Sequence, residues 1–333
     1  MKKKSVSGIL TSNQMILLYI IVVLCVLIGT RNQAFLSVST AITLCRAMLV
    51  TLCFAVCEML IIISGGIDVS FPAIACAALF IPIKIMTDAD LDSVPLAFGM
   101  AILIGLIFGA FNALLIAHIQ LPPLIATLGT SSIINGGLLV FFGSREISNL
   151  PDSVDAISKQ YLFTYTAPTG FEYKLTILFL IPILLCVFVA VLLRYTMLGR
   201  GIYAVGGDAN AARIAGFNVR RIRVFAYTFS GAVTGLAAMA YCILMRTANP
   251  KNLMGSEMMV IAAVVVGGTR ITGGHGGVLG TILGVCLITL IQNNLIMLGV
   301  PTYWQKFVVG LVIVLGTSIT SLRAKRIAQG PKV

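Results

Sequence analysis

Long apolar runs alternate with short polar breaks along the whole chain. Runs fall at about 15–30, 41–64, 71–86, 95–117, 124–142, 175–194, 224–245, 278–298 and 303–321, with a weaker, glycine-terminated run at about 258–268. Apolar stretches of about 18 residues suit a helix that crosses a bilayer. The pattern therefore predicts an all-α, polytopic membrane protein of about ten transmembrane helices, built as one membrane domain over residues 1–333. Boundaries read this way are good to a few residues.

The longest polar interruption in the second half is 206–223, GGDANAARIAGFNVRRIR. Asp208 is a good N-cap because its carboxylate can accept from the free N–H groups of a first turn. Ala209, Ala211, Ala212 and Arg213 favour helix, and Gly216 stands where a left-handed C-terminal residue is wanted. A helix this short is marginal in water and has to dock on something. Arg220, Arg221 and Arg223 then open the next apolar run, and basic clusters between spans belong on the cytoplasmic side.

The 333 residues are 59% hydrophobic and 10% charged, with mean hydropathy +1.04. No polar segment exceeds roughly 30 residues, too few for an independent soluble core. In a soluble chain a net charge of +12 would suggest nucleic acid; here membrane orientation explains it and no nucleic-acid partner is expected. With the N-terminus inside and ten crossings, the cytoplasmic segments hold Lys2, Lys3, Lys4, Arg194, Arg200, Arg213, Arg220, Arg221, Arg223, Arg270, Arg323, Lys325, Arg326 and Lys332, against only Asp68 and Asp208. The remaining charges cancel, so the net charge sits on one face, as the positive-inside bias requires. An odd count would put Arg200–Arg223 and the tail on opposite sides. Both termini are thus expected in the cytoplasm, and the polar segment 144–173 outside it.

Small residues recur every fourth position in three rows: Ala101, Gly105, Gly109, Ala113; Gly231, Gly235; and Gly276, Gly280, Gly284. Such faces let helix backbones approach closely in lipid, within the chain or at a subunit interface. The eight cysteines lie mostly in apolar runs without a CxxC pair, which reads as packing rather than metal or redox chemistry. No P-loop occurs. His118 and His275 have no Ser–Asp or Cys partner in sequence, so no catalytic residue is assigned, no metal is expected and the chain reads as non-enzymatic.

Two glycine-rich breaks remain: Ser64-Gly65-Gly66-Ile67-Asp68-Val69-Ser70 and Gly267-Gly268-Thr269-Arg270-Ile271-Thr272-Gly273-Gly274. Interrupted helices at membrane depth are tolerated where they line a cavity or are buried in protein. Each break reads either as part of a polar pathway or as a tight turn, with Asp68 as N-cap of the following helix. Glu58 lies inside an apolar run, where carboxylates are costly and face the bundle interior or water. Arg46 or Arg270 would be a suitable partner. Asn112, Thr127, Thr130, Ser131, Ser132 and Asn135 add neutral polar atoms, which suit a hydroxyl-rich solute or hydrogen bonds between helices. The pathway set read here is Glu58, Gly65, Gly66, Asp68, Ser70, Asn112, Thr127, Asn135, Gly267 and Gly268.

The run GGDANAARIAGFNVRRIRVFAYTFSGAVTGLAAM resembles the signature of the ribose-type permease family of bacterial ABC importers. IIISGGIDVS, LPPLIATLGT, VVVGGTRITGGHGGVLGT and the short basic tail extend the resemblance over essentially the whole chain. Phe71-Pro72 stands where the family usually has Val-Gly. The resemblance implies a type II-like importer fold in the bacterial inner membrane, a second permease subunit (identical or a paralogue), two ATP-binding subunits beneath, and a periplasmic sugar-binding protein above. It implies a monosaccharide or similar small polyol-like solute as cargo. It places Gly207, Asp208, Ala211, Ala212, Arg213 and Gly216 in a cytoplasmic coupling helix within the loop 195–223. ATP and magnesium would be bound by the partner subunits and no cofactor by this chain. The reading from a different class is an ion-coupled secondary transporter, also polytopic with broken spans.

Overall fold

The computed structural model describes residues 13–32, 35–167 and 170–294, with isolated positions 301, 304, 307, 310, 311 and 314 beyond them. The run predicted at 303–321 lies outside the described residues apart from those positions, as do the basic residues of both termini.

Among the described residues, seven helices are long and apolar enough to cross a membrane. They are α1 (Asn13–Arg31), α2 (Val38–Ile63), α3 (Phe71–Asp88), α4 (Val94–Ala113, continued by a π-turn Leu114–His118), α5 (Pro123–Phe142), α7 (Leu180–Tyr195, preceded by the 3-10 turn Ile177–Phe179) and α10 (Val219–Met245). Between them lie α6 (Asp152–Ser158), α8 (Met197–Gly207) and α9 (Ala209–Ile214), and after α10 come α11 (Glu257–Val266) and α12 (Val278–Asn294). The chain is a mostly helical, polytopic membrane protein. At ten residues, α11 is about 15 Å long, half of a hydrocarbon core of about 30 Å. The weak run at 258–268 therefore does not cross as a helix by itself.

Local sequence explains the helix starts. Ser37 Oγ accepts from the N–H of Thr40 at the head of α2 (3.3 Å), and Asn218 Oδ1 accepts from that of Arg221 at the head of α10 (2.9 Å). Helices α3, α4 and α5 each carry proline in their first turn, where its missing N–H costs nothing.

The expectation of a purely helical chain is corrected by one hairpin. Strand β1 (Tyr161–Thr166) pairs antiparallel with β2 (Glu172–Thr176), with Tyr165 opposite Tyr173 and a bulge near Tyr161. Every residue of YLFTYT but Leu162 is aromatic or β-branched, a strand signal, and its partner EYKLT is hidden next to the apolar run that becomes α7.

Helix α2 runs through the centre and is buried along 83% of its apolar window, against 22% for α1. The tightest packing lies between α4 and α10. A Cβ on Gly109 would come 2.6 Å from the Tyr227 carbonyl, and one on Gly231 would come 2.7 Å from Gly109 Cα. Gly105 and Gly235 meet the carbonyls of Gly231 and Ala101 more closely still. The first two small-residue rows therefore face each other. Gly280 and Gly284 press on the carbonyls of Gly267 and Ala263, joining α12 to α11. All three rows are used inside the chain.

Gly231→Leu should drive a side chain into the α4 backbone, at about 1–3 kcal/mol or more for an overpacked site. The solubilised variant is expected to melt lower or fail to accumulate. Gly136 on α5 has open space around it, so Gly136→Ala should leave the melting temperature unchanged. Equal behaviour of the two variants would show that the seam is not the constraint.

Candidate functional site

The break after α2 is built around its last carbonyls. Those of Leu60, Ile61 and Ile62 accept from the N–H groups of Ser64, Gly66 and Gly65 (3.1, 3.0 and 2.9 Å), while that of Ile63 accepts from distant Gly274 (2.9 Å). Gly65 takes φ 87°, which glycine adopts without steric cost. The chain then runs unwound to Ser70. Asp68 is not the N-cap of α3: Ser70 holds that position. Asp68 Oδ1 instead accepts from the N–H and the hydroxyl of Ser70 (2.7 and 2.6 Å). It stands two residues too early to reach the helical N–H groups, so it forms an Asx turn ahead of them.

Glu58 pairs with no arginine. Its Oε1 accepts from the N–H of Asp68 (3.1 Å), and among the described residues no ion pair includes it. Arg46 lies about 18 Å away along the same helix, and the Arg270 N–H bonds to the His275 carbonyl (2.9 Å). Ser70 Oγ, having donated to Asp68, accepts from Asn112 Nδ2 (2.8 Å). Thr127 Oγ1 accepts from the N–H of Val69 (3.3 Å) and donates to the Pro123 carbonyl (2.9 Å).

Glu58, Asp68, Ser70, Asn112 and Thr127 thus come together from α2, the break, α4 and α5. None is more than 4% exposed, so in this conformation they form a closed knot rather than the wall of an open path. Asn135 does not join them, lying about 12 Å further along α5. Thr130 and Ser132 bond back to their own helix at Ala126 and Leu128. Sequence reasoning missed Tyr227, fully buried on α10, whose hydroxyl lies against Gly66. It also missed Ser230, which donates to the Cys57 carbonyl (3.3 Å). Both sit in an apolar run with no distinguishing spacing.

The second break reaches the first through a third glycine. A Cβ on Gly206 would come 2.7 Å from the Gly274 nitrogen and nearer still to the Ile63 carbonyl. Gly267 presses on Gly280, and Gly268, Gly273 and Gly274 all have positive φ. The glycine held tightly here is Gly206. Gly207, named by the resemblance, has open space around it because it lies one residue, about 100°, further round the last turn of α8.

Residues 195–223 are therefore largely helical, α8 leading directly into α9. Asp208 Oδ1 accepts from the N–H groups of Asn210 and Ala211 (2.8 and 3.1 Å). At the other end the Gly216 N–H donates to the Arg213 carbonyl and the Phe217 N–H to that of Ala212, both at 3.0 Å, with Gly216 at φ 87°. This is the Schellman arrangement that glycine at C′ permits. Ala212 does not face outward: it is 3% exposed and packs on its own chain. Ala211, Arg213 and Ala215 are exposed, and Ile214 is 89% exposed. An aliphatic residue among small and polar ones was the available signal for Ile214.

At the far end of α10 the 144–176 segment is fastened down. Ile147 bridges to Ala248, Asp92 accepts from the N–H of Ser153 (2.9 Å), and Asp155 takes a two-pronged contact from Arg246 (2.7 and 2.8 Å). Hydrogen bonding from Arg246 and then Lys159 lowers the Asp155 carboxyl to about 2. Because this pKa is depressed, the pair contributes above the ordinary carboxylate range and is lost only as pH falls towards 2.

Seven helices long and apolar enough to cross a membrane, packed around buried polar breaks, make this a multi-pass membrane protein. Residues 9–316 match the family described as branched-chain amino acid transport system / permease component, and the chain belongs to it. Among curated relatives, the autoinducer 2 import system permease protein LsrC of Escherichia coli O9:H4 is 32% identical over 88% of this chain and 82% of its own length. The proteins of the same name from Shigella flexneri and Salmonella typhi are 32% and 30% identical over 88% of this chain, and over 82% and 81% of their own lengths. No solved structure matches. The chain is a non-catalytic, ribose-type permease subunit of an ABC importer in the inner membrane; its partners are ATP-binding subunits and a substrate-binding protein. The ion-coupled alternative is thereby set aside.

Asp68→Ala should strand the buried N–H and hydroxyl of Ser70, each worth about 1–3 kcal/mol when unsatisfied. Asp68→Asn keeps an acceptor and should be milder. Thermal unfolding of the solubilised protein would compare them, and equal losses for the two variants would count against this role for Asp68.

Proposed function

We propose that this subunit forms, with a second permease subunit, the gated path for a monosaccharide or a similar small polyol-like solute, and that α9 is its coupling helix. The exposed face of α9 carries this reading: a six-residue helix, capped at both ends, that presents Ile214 almost fully to its surroundings. Burial of such a side chain favours association by about 1.5–3 kcal/mol, so the helix is shaped to seat in a groove of an ATP-binding subunit. Ala211 and Arg213 share the exposed surface, while Ala212 anchors the helix to its own chain. Closure of the ATPase pair around ATP and magnesium would move α9, and α8 would carry the motion to the break after α2 through Gly206. The neutral hydroxyl and amide groups of the knot, with the glycines at 65–66 and 267–268, would line the path when it opens. This chain itself would bind no cofactor. The cargo assignment is supported by the ribose-type signature and by relatives whose name records import of autoinducer 2.

The proposal extends to topology: ten membrane crossings in a type II-like fold, both termini cytoplasmic, segment 144–173 outside and seating the binding protein, and lipid around the apolar exterior. The one-sided charge balance supports it, as does the fastening of that segment at the end of α10 away from α9.

Reconstitution with the ATP-binding subunits and binding protein, followed by uptake of labelled ribose, xylose, arabinose and galactose, tests the function. Ile214→Asp should place a charge in the groove and abolish uptake with the permease still inserted. Full uptake by that variant would remove α9 from the coupling role. Ala212→Trp should also fail, through loss of the anchor.

Single-cysteine labelling tests the topology. Ser153→Cys should react with an impermeant reagent added outside intact spheroplasts, and Ala328→Cys only after permeabilisation. Outside labelling of Ala328→Cys would refute the ten-crossing arrangement.

A further inference from the structure

Several buried polar atoms have no hydrogen-bond partner among the described residues; in and beside the knot they are Glu58 Oε2, Asn112 Oδ1 and the hydroxyl of Tyr227. None of these three residues is more than 1% exposed, and of the two acceptors Glu58 Oε2 is the one on α2, the helix along whose end the Tyr227 side chain rests. A buried carboxylate oxygen and a buried hydroxyl left unmatched are costly and call for an explanation. One is an acceptor and the other can donate. They are also neighbours in register. Helices α2 and α10 run antiparallel, Ser230 donating to the Cys57 carbonyl and Tyr227 packing with Ile61. Glu58 thus lies one turn of α2 from the point where the Tyr227 ring sits. The hydroxyl rests against Gly66, two residues before Asp68.

We infer that the Tyr227 hydroxyl donates to Glu58 Oε2 in the ATP-closed state of the importer, and that this bond makes Tyr227 the positioning residue linking coupling-helix motion to the broken helix. The inference rests on the proposed role of α9. Tyr227 is two turns into α10, whose N-terminus follows α9 by only four residues, so displacement of α9 moves the head of α10. The absence of a side chain at Gly66 leaves the hydroxyl a track along the end of α2. Glu58 also accepts from the N–H of Asp68, so engaging its second oxygen bears directly on the backbone of the break. Glu58 Oε2 and the Tyr227 hydroxyl, both unmatched in the conformation described here, are a pair that a shift of α10 along α2 would join, and an element with two discrete arrangements is what a transport cycle requires.

The test uses the intact complex of permease, ATP-binding subunits and binding protein in nanodiscs. The melting temperature is measured nucleotide-free and after trapping with ATP and vanadate, for wild type, Tyr227→Phe, Glu58→Leu and the double variant. The conformation described here, with its unmatched hydroxyl, is assigned to the nucleotide-free importer, so Tyr227→Phe should not lower the nucleotide-free melting temperature. It should shift the trapped-to-free balance about tenfold towards the free state, the scale of one hydrogen bond to a charged group, and so shrink the gain on trapping. Glu58→Leu should shrink that gain equally, and the double variant no further, because both remove the same bond. An undiminished gain in Tyr227→Phe, a loss of nucleotide-free stability of the same size, or additive losses in the double variant would each overturn the inference. Ile214→Asp separates the two proposals. If it traps normally, the coupling role of α9 is wrong; if it fails to trap while Tyr227→Phe behaves as wild type, only the hydrogen bond is wrong.

Discussion

Backbone-on-backbone contact between α4 and α10 is the constraint on which the rest of the structure depends. In lipid the hydrophobic effect does not pull apolar helices together, so close packing has to do it. Gly105, Gly109, Gly231 and Gly235 remove the side chains that would hold the two helices apart. Once α10 is set at that distance, Tyr227 and Ser230 reach α2, and Asn112 on α4 is delivered to Ser70. The seam is a positioning device for the polar knot as well as a source of stability.

The same logic explains how a broken helix survives at the centre of the bundle. The chain between α2 and α3 gives up helical hydrogen bonds, and the protein replaces them from distant parts of the sequence. Gly274 supplies an N–H to Ile63, Thr127 accepts from Val69, and Glu58 accepts from Asp68. Only glycine at 206 lets α8 come near enough to lie against this stitching. The surface helix α9 and the buried break are consequently joined by a short path of backbone contacts with little room to absorb motion. A rigid path of this kind passes on displacement, which suits a subunit driven by nucleotide-dependent partners.

Much of this was legible beforehand where the cause is local. The cap at Asp208, the turn at Gly216 and the long apolar runs all follow from residues a few positions apart. The hairpin was not legible: EYKLT runs straight into the apolar sequence of α7, and its pairing with YLFTYT depends on a contact between strands. The weak, glycine-terminated run at 258–268 forms a helix of only ten residues, Glu257–Val266, so any crossing there needs the glycine-rich break after it as well.

The sequence alone determined that this is a helical membrane protein, that it carries a short capped helix outside its apolar runs, and that glycine breaks and a buried carboxylate would be central. Only the tertiary structure decided which way these residues face and what they touch. Ala212 turned inward and Ile214 outward, Gly206 rather than Gly207 took the tight contact, and Glu58 met a backbone N–H instead of an arginine. The physical reason is that capping, propensity and hydropathy act over one or two helical turns, whereas burial of a polar atom is settled by segments tens to hundreds of residues away.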